Sequence, residues 1–196
     1  MIRLALLRHG HTHWNRAGRI QGSSDIALDD QARTELSAQR LPSPWEAAEL
    51  WSSPLLRACE TAELVSNRAP RIDPALSEMN WGAWEGLRGV DLVQDPASGF
   101  RHIEDWGWDY HAPGGESPRQ LWDRVQPWVA RLTGDAVAVC HIGVMRVLLA
   151  RAYGWDFTGT PPFQFKRNRL FLLHLDADTL TPGPDPVRLT KRDAAA

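Results

Sequence analysis

The chain has 196 residues and a formal net charge of −2, with 43% hydrophobic and 23% charged residues. This length predicts one domain over residues 1–196 with a sizeable core. The near-neutral charge gives no reason to expect a nucleic-acid or membrane partner, and no apolar run is long enough to cross a bilayer. The N-terminus lacks the features of a secretory signal, so we expect a cytoplasmic protein. Cys59 and Cys140 are expected to be reduced structural thiols.

Strand and helix patterns alternate along the first half of the chain, which is typical of an α/β protein with a largely parallel sheet. An apolar run at 2–7 predicts a buried strand, and the segment 29–40 predicts a helix with Asp29 or Asp30 as its N-cap. Pro54 suits the start of a second helix. The other elements predicted here are a strand at 48–53, a helix at 55–67 and a short strand at 71–72.

The segment 86–116 interrupts this alternation. It is rich in Gly, Pro, aromatic and acidic residues and is too long for a simple connection, so we predict an irregular lid. Ser117 and Pro118 suit the start of the next helix, and Pro127 is expected to kink that helix or split it in two. The predicted elements here are a helix at 117–133, a buried strand at 136–140, a helix at 144–153, a last strand at 169–175 and a poorly ordered tail over 182–196.

Basic residues stand at the ends of two of the predicted buried strands. The strand at 2–7 leads into Arg8 and His9, and the strand at 136–140 leads into His141. The carboxyl ends of parallel strands meet at the edge of the sheet where α/β proteins bind ligands, so the two histidines are expected to lie close together. Arg favours planar anions such as phosphate, and a neutral His can act as nucleophile, base or metal ligand. The pattern therefore predicts a binding or catalytic site at this edge.

A series of motifs in consistent order covers nearly the whole chain. The motifs are R-H-G-H-T-H-W-N at 8–15, G-R-I-Q-G at 18–22, D-I-A-L-D at 25–29, S-S-P-L-L-R-A-C-E-T-A at 52–62, L-S-E-M-N-W-G-A-W-E-G at 76–86, P-G-G-E-S at 113–117 and V-C-H-I-G-V-M-R at 139–146. With this series the chain resembles the histidine phosphatase superfamily, also called the phosphoglycerate mutase-like family. The resemblance implies a three-layer α/β/α sandwich with a largely parallel central sheet and an irregular lid insertion.

The resemblance also implies a role for each matching position, and it implies no metal or other cofactor. His9 corresponds to the nucleophile that takes the phosphoryl group as a phosphohistidine. Glu78 corresponds to the general acid that protonates the leaving oxygen and later activates water. Ile142 stands where many relatives have Gly, and its backbone N–H is expected to bind phosphate. The implied phosphate-binding residues are Arg8, Asn15, Gln21, Arg57, His141 and Ile142.

The chemistry of phosphoryl transfer agrees with these roles. Two guanidinium groups and an imidazolium around three phosphoryl oxygens stabilise the transferred group at a site that needs no metal. His9 must be neutral to attack, whereas His141 is expected to work best protonated. Glu78 must carry a proton when the ester leaves. We therefore predict a mildly acidic to neutral optimum for hydrolysis.

His11 departs from the family pattern, in which most relatives carry Glu or Gln at this position. Because His9, His11 and His13 alternate, a continued strand would place all three on one face as a metal site. Gly10 favours a turn instead, which leaves His11 at the pocket rim and His13 in a surface loop. A metal-dependent hydrolase is therefore the weaker alternative.

The lid bears on which reaction the site performs. A mutase needs extra cations for a second anionic group, but segment 86–116 carries two arginines and six acidic residues. This balance favours a phosphatase acting on a monoester with an uncharged remainder. A phosphoglycerate mutase-type transfer and a non-catalytic module that binds phosphorylated ligands stay as alternatives. The sequence leaves the oligomeric state open, with a homodimer among the states that it allows.

The substrate is left open by the sequence. The short lid and P-G-G-E-S at 113–117 make the chain similar to α-ribazole phosphatases and equally to broad-specificity phosphatases. The expected substrate is a small phosphorylated metabolite, with α-ribazole phosphate and other nucleoside or sugar phosphates as candidates. Trp106, Trp108 and Tyr110 would either stack on a ring or sugar of this substrate or plug the core.

Three further charged residues lie in or near family motifs. Glu85 is expected to be structural and bonded to backbone. Glu116 is expected either to approach the site through its loop or to cap or buffer a helix. Arg124 is expected on a solvated helix face.

Overall fold

The computed structural model describes residues 1–192. Its strands include the two predicted runs at the start of the chain and before His141, and both are buried along most of their length. In chain order the strands are β1 (Ile2–Arg8), β2 (Gln39–Arg40), β3 (Glu49–Ser52), β4 (Arg71–Ile72), β5 (Ala136–Cys140), β6 (Arg169–Asp176), β7 (Thr179–Pro182), β8 (Val187–Arg188) and β9 (Thr190–Lys191).

The helices connect these strands as an α/β pattern predicts. They are α1 (His13–Arg16), α2 (Asp30–Ser37), α3 (Leu56–Ser66), α4 (Gly89–Gln94), α5 (Pro118–Ala130) and α6 (Ile142–Tyr153). Single turns of 3-10 helix lie at Trp45–Ala47, Pro74–Leu76, Gly82–Trp84 and Pro96–Ser98. Among residues 1–192, no helix combines the length and the apolar character that crossing a bilayer requires.

A seven-stranded sheet in the order β4-β3-β5-β1-β6-β7, with β8 paired to β6, forms the middle layer. Strands β1, β3, β4 and β5 run parallel, and β6, β7 and β8 are antiparallel to their neighbours. Side chains of β1 alternate between two cores: Leu4 and Leu6 pack with α5 and α6, whereas Ala5 and Leu7 pack with α2 and α3. This confirms the three-layer sandwich; the central sheet is buried on both faces and is mixed, parallel over β4-β3-β5-β1 and antiparallel from β6 onward.

The C-terminal segment corrects two sequence predictions. The predicted helix at 29–40 ends at Ser37, because Gln39–Arg40 forms an antiparallel pair with β9. The expectation of a poorly ordered tail is wrong for residues 182–192, which contain β8 and β9. The Arg192 guanidinium donates to the carbonyl oxygens of Gln39 (2.9 Å) and Leu64 (2.9 Å) and fixes this end of the chain. Residues 193–196 lie outside the described part.

The lid and the helix after it also differ from expectation. Segment 86–116 is not wholly irregular, since it contains α4 and one 3-10 turn. Helix α5 begins after Ser117, whose hydroxyl accepts from the backbone N–H of Gln120 in a capping box. It continues through Pro127, so the predicted split is wrong. A single missing backbone donor does not end a helix whose Leu121 and Val125 side chains are fully buried.

Candidate active site

The two predicted strand-end histidines lie side by side. Strands β1 and β5 pair in parallel with Arg8 opposite Cys140, and the backbone N–H of His9 donates to the Cys140 carbonyl at 3.0 Å. The ring centroids of His9 and His141 are 5.1 Å apart. Sheet register alone therefore brings the two imidazoles together at the carboxyl edge, as parallel pairing predicts.

The His9 ring is held in the orientation that a nucleophile needs. Its Nδ1 lies 2.6 Å from the Gly10 carbonyl oxygen. A carbonyl oxygen only accepts, so Nδ1 carries the ring hydrogen and Nε2 keeps its lone pair. Burial lowers the pKa of His9 well below its usual value, and the nearby charges of Arg8 and Arg57 lower it further. His9 is therefore neutral at physiological pH.

His141 is held in the opposite tautomer. Arg57 Nε donates to His141 Nδ1 at 3.3 Å, so the ring hydrogen is on Nε2, which lies 2.7 Å from Ser53 Oγ. Burial lowers the pKa of His141, followed in effect by the charge of Arg57. The environment therefore opposes the expected protonation of His141, whose Nε2–H can still donate to an oxygen anion while the ring is neutral.

Ser53 was missed by the sequence reasoning. It is fully buried and follows β3 as His9 follows β1, with its backbone N–H donating to the Val139 carbonyl at 3.1 Å. This strand-end position was the available signal, but Ser is common in turns and Pro54 made the segment look like a plain helix start.

Arg57 and Arg8 supply positive charge within the protein. Arg57, in the first turn of α3, is fully buried and donates to the carbonyl oxygens of Ser24 (2.7 Å) and Gly22 (2.8 Å). Arg8 Nε is buried and has no hydrogen-bond partner among residues 1–192. Burial lowers the pKa of Arg8 to about 9, with Arg167 adding to the effect. A buried, unpaired guanidinium at a strand end is suited to binding an anion.

Glu78 lies against the N-terminal turn of α6, which begins directly after His141. Its Oε1 accepts from the backbone N–H groups of Met79 (2.8 Å) and Gly143 (3.0 Å). Burial raises the pKa of this carboxyl, partly opposed by those two hydrogen bonds. A Cβ atom at position 143 would lie 2.3 Å from Glu78 Oε1, so glycine makes room for the acid beside Ile142. A carboxyl whose pKa is raised by burial, next to the helix that follows His141, fits a general acid.

Arg124 holds the loop that carries Glu78. Its guanidinium donates to the carbonyl oxygens of Ala75 (2.7 Å) and Ser77 (3.1 Å) and to both oxygens of Glu116 (3.0 and 2.9 Å). The expectation of a solvated Arg124 is therefore wrong. Glu116 does not cap helix α5, whose N-cap is Ser117; it binds Arg124 and accepts from the Asn80 backbone N–H at 3.3 Å, and it lines the same cavity as Glu78.

Asn15 and Gln21 surround the turn that follows His9. The Asn15 side-chain oxygen accepts from the Thr12 backbone N–H at 3.2 Å, completing a capping box for α1. Gln21 Nε2 donates to Thr12 Oγ1 at 2.7 Å, and the buried Gln21 Oε1 has no partner among residues 1–192. These contacts make both residues supports of the turn, and their contact with phosphate stays a prediction, as does that of the Ile142 N–H.

The three alternating histidines do not converge. His9 is buried, whereas His13 is exposed as the first residue of α1. His11 is half-buried, and burial lowers its pKa, with the charges of Arg167 and Arg16 adding to the effect. Within residues 1–192, no three side chains of His, Cys, Asp or Glu come together in a way that would hold a metal ion.

The lid aromatics pack within the protein. Trp106 is 5% exposed, its indole N–H donates to the Arg101 carbonyl at 3.0 Å, and its ring packs against Trp81. The Tyr110 hydroxyl donates to the Gly99 carbonyl. Trp108 packs edge-on against the buried Phe157, with ring centroids 5.0 Å apart. Of the two expectations for these rings, the contacts favour the core plug over stacking on a ligand.

Arg167 is the second residue that the sequence reasoning missed. Its Nη1 donates to the His9 carbonyl oxygen at 2.8 Å, which places a third guanidinium beside the strand end. Burial lowers the pKa of Arg167 to about 10, and the charge of Arg16 adds to the effect. The sequence signal was a basic run at 166–169 before β6, a pattern shared with many solvated surfaces.

Comparisons with known proteins agree with this geometry. Residues 4–181 match the histidine phosphatase superfamily (branch 1), and the chain belongs to that superfamily. It is 32% identical over 162 residues to phosphoglycerate mutase-like protein 4 of Arabidopsis thaliana, covering 76% of this chain and 70% of that protein. It is 35% identical over 166 residues to glucosyl-3-phosphoglycerate phosphatase of Mycobacterium tuberculosis, covering 76% and 74%.

A solved structure shows the same fold. The crystal structure of phosphoglycerate mutase from Thermus thermophilus is 33% identical to this chain, covers the full length of both chains and superposes with a TM-score of 0.68. The predicted family and fold class are confirmed, and the chain is an enzyme of the histidine phosphatase superfamily.

Proposed function

We propose that the protein is a metal-independent phosphomonoester hydrolase that forms a phosphohistidine on His9 and acts on a small phosphorylated metabolite. The observation that carries this proposal is the 2.6 Å contact of His9 Nδ1 with the Gly10 carbonyl, which leaves Nε2 as the free nucleophilic nitrogen. The ring lies beside His141, and burial together with the charges of Arg8 and Arg57 keeps it neutral.

In the first step, His9 Nε2 attacks the phosphorus atom and the bond from phosphorus to the ester oxygen breaks. The Glu78 carboxyl gives its proton to the departing oxygen, so the alcohol leaves neutral and Glu78 becomes a carboxylate. Arg8, Arg57 and the Nε2–H of His141 stabilise charge on the phosphoryl oxygens. Burial raises the pKa of Glu78, which favours the protonated form that this step requires.

In the second step, water attacks the phosphohistidine. The Glu78 carboxylate takes the proton of the attacking water, and the phosphorus–nitrogen bond breaks with its electron pair returning to His9 Nε2. Inorganic phosphate is released, and both residues return to their starting protonation states. Two displacements with one acid–base group thus replace a single slow hydrolysis.

The substrate that we propose is a class of phosphate esters and not a single compound. The relative from Mycobacterium tuberculosis acts on glucosyl-3-phosphoglycerate, which supports a sugar- or glycerate-linked phosphate as a substrate here. α-Ribazole phosphate and other nucleoside phosphates stay as alternatives within the same proposal. The internal packing of Trp106 lends no support to stacking on an aromatic substrate ring.

A mutase-type transfer is the second candidate, because relatives named as phosphoglycerate mutase-like or phosphoglycerate mutase share this fold. One experiment separates the two. Hydrolysis of p-nitrophenyl phosphate is measured across pH with and without EDTA, alongside isomerisation of 3-phosphoglycerate. We expect EDTA-insensitive hydrolysis with no isomerisation. Dependence on added metal would overturn the metal-free mechanism, and isomerisation would overturn the assignment as a hydrolase.

Replacing the nucleophile gives the largest effect that we expect. His9→Ala should lower kcat for p-nitrophenyl phosphate by on the order of 10⁴-fold, since it removes the nitrogen that attacks the phosphorus atom. Acid-labile ³²P from labelled substrate should appear on the wild-type chain and be absent from the variant. A circular dichroism spectrum that matches wild type is the control for folding, and unchanged kcat in a folded variant would show that His9 is not the nucleophile.

A further inference from the structure

A cavity of about 230 Å³ lies at the C-terminal end of α6, and none of the residues that we assign to catalysis or to phosphoryl binding lines it. Three rings contribute to its walls, those of Tyr153, Phe163 and Phe171, and we call it the aromatic cavity. The ring centroids of Tyr153 and Phe163 are 5.7 Å apart, and Tyr153 is 40% exposed. An accessible ring beside an apolar recess is suited to stacking on a flat ligand.

Two polar side chains also line the aromatic cavity, those of Gln164 and Asp185. The amide of Gln164 can donate and accept, whereas the carboxylate of Asp185 only accepts. A flat ligand with N–H groups at its edge can use both, which a fatty chain cannot. Amide and carboxylate side chains recognise the edges of nucleobases in this way. The lining of this cavity therefore favours a heterocyclic base.

A second cavity, of about 390 Å³, adjoins the first, because Lys166 and Arg169 line both. Five of its eight lining residues are basic, and within residues 1–192 none is acidic. We call it the basic cavity; its cations are Lys166, Arg167, Arg169, Arg188 and Lys191. The net charge of the chain is −2, so this positive charge is a local feature. Together the two cavities fall within the range of about 300–1,000 Å³ that small-molecule sites occupy.

Two of these cations oppose each other in the sheet. Arg169 begins β6 and lies directly opposite Arg188 in the antiparallel pair with β8. Directly opposed residues place their side chains on the same face, where like charges destabilise the pair. Within residues 1–192, neither guanidinium has a carboxylate oxygen within 4 Å, although eight other arginines do. An anion bound between them would replace repulsion by charge-assisted contacts.

Other charges near the basic cavity do not supply that anion. Burial lowers the pKa of Arg167, and the charge of Asp29 acts against this lowering. Arg167 Nη1 also binds the His9 carbonyl oxygen at 2.8 Å, so we assign no ligand to Arg167. Asp185 lines the aromatic cavity but not the basic one. The opposed pair of arginines is therefore the part of the basic cavity that a bound anion would stabilise most.

We propose that the two cavities form a binding site for a nucleoside di- or triphosphate, separate from the catalytic site. The base lies against Tyr153 and Phe163 in the aromatic cavity, and the phosphates lie between Arg169 and Arg188. A diphosphate carries enough negative charge for two guanidinium groups, and the base supplies the flat face that an aromatic ring binds. The site binds its ligand without reacting with it, and the inference does not rest on the proposed function.

Isothermal titration calorimetry with ADP, adenosine and pyrophosphate, without added metal, tests both halves of the site. We expect wild type to bind ADP about tenfold or more tightly than either fragment, because base stacking and charge-assisted contacts each contribute about this factor. Equal affinity for ADP and pyrophosphate would overturn the inference, because the aromatic cavity would then contribute nothing. Absence of saturable ADP binding at about 1 mM would overturn it as well.

Substitution of two exposed side chains separates the two halves. Arg188→Met should weaken binding of ADP and of pyrophosphate about tenfold and leave that of adenosine unchanged. Tyr153→Ala should weaken binding of ADP and of adenosine by about the same factor and leave that of pyrophosphate unchanged, whereas Tyr153→Phe keeps the ring and should bind as wild type does. Arg71→Met removes an exposed arginine from β4, at the far edge of the sheet, and is the matched control that should leave all three affinities unchanged.

The catalytic site is the alternative place for ADP, and the same variants distinguish it. If ADP binds there, Arg188→Met and Tyr153→Ala leave its affinity unchanged, and the inference is wrong. Both variants should hydrolyse p-nitrophenyl phosphate with kcat/KM within about twofold of wild type, since the substituted side chains lie apart from the catalytic residues. A parallel loss of hydrolysis and of ADP binding would place ADP at the catalytic site and would also overturn the inference. If wild type binds ADP as expected but hydrolyses no p-nitrophenyl phosphate, the proposed function fails and this inference stands.

Discussion

The histidine pair and the acid beside it are held in place by different means. His9 and His141 extend directly from β1 and β5, and backbone pairing fixes them, with the His9 N–H donating to the Cys140 carbonyl at 3.0 Å. Glu78 comes from a loop whose carbonyl groups are gathered by the side chain of Arg124. The nucleophilic half therefore follows from sheet topology, whereas the acid half depends on a few side chains that single substitutions can remove.

Arg57 is held both by a regular element and by contacts from a loop. Its helix positions the backbone, but its guanidinium is held by the carbonyl oxygens of Gly22 and Ser24. That loop is in turn held by Glu85, which accepts from the backbone N–H groups of Ser23 (2.8 Å) and Ser24 (3.0 Å). The expectation that Glu85 is structural and bonded to backbone is confirmed. As with Glu78, contacts from a loop position a site side chain, here the guanidinium of Arg57 on helix α3.

Glu78→Gln tests the acid half directly. With an alkyl phosphate, kcat/KM should fall by about 10²-fold or more, because the alkoxide must be protonated as it leaves. With p-nitrophenyl phosphate the fall should be far smaller, since p-nitrophenolate leaves without a proton and kcat/KM reports the first step only. The two substrates are compared in steady-state assays of the same preparation. An equal loss on both substrates would contradict the role of Glu78 as an acid.

Arg124→Met tests whether the clamp positions that acid. The ratio of kcat/KM for alkyl and p-nitrophenyl phosphates should shift in the same direction as in Glu78→Gln, but by less. Loss of the part-buried pair with Glu116 and of the bonds to Ala75 and Ser77 should lower the free energy of unfolding by about 1–3 kcal/mol in urea titrations.

Arg131→Met is the matched control for the clamp. Arg131 follows the same helix and pairs with Asp73 at 2.6 Å, but its side chain is 58% exposed. Its loss should change stability by less than about 1 kcal/mol and leave the ratio of the two substrates unchanged. A shift in stability without a shift in the ratio for Arg124→Met would mean that the clamp supports the fold but not the acid.

The difference between residues placed by strand pairing and residues placed by side-chain contacts explains which site residues the sequence predicts. Apolar runs that end in His9 and His141 locate the histidine pair, because parallel strands place their ends together whatever the loops do. Ser53, Arg124 and Arg167 are not predicted in this way, since each contacts groups that are remote in the chain, and a lone Ser or Arg has the same sequence pattern on a solvated surface. The order of residues 182–192 is not predicted from the sequence for a similar reason.

Sheet pairing across the chain explains that last case. Strand β9 exists only through pairing with Gln39–Arg40, and neither partner has a strand pattern of its own. The end of α2 at Ser37 and the ordered C-terminal segment therefore have the same cause, the pairing of Gln39–Arg40 with β9, which local sequence patterns cannot show. The motifs of the family carried Glu78 and Arg57, which composition and periodicity alone would have left as ordinary charged residues.

The last predicted effect concerns the pH dependence of stability, to which the histidine pair and Glu78 contribute with opposite signs. Folding lowers the pKa of His9 and of His141, so between about pH 6.5 and their folded pKa values the unfolded chain binds more protons than the folded one. Stability from these groups is therefore complete above about pH 6.5 and is lost as pH falls. Folding raises the pKa of Glu78, which acts in the opposite sense: the folded chain holds the extra proton, so acidification favours it.

Two histidines outweigh one carboxyl, so the free energy of unfolding of wild type should decrease from pH 7 to pH 5. The slope of one titrating histidine is at most about 1.4 kcal/mol per pH unit. His9→Asn removes one such group and should flatten the slope, whereas Glu78→Gln should steepen it. Urea titrations at pH 5, 6 and 7 give the three slopes. If His9→Asn and Glu78→Gln change the slope in the same direction, folding does not shift the pKa values of His9 and Glu78 in opposite directions. Opposite pKa shifts give contributions to proton binding on unfolding that have opposite signs.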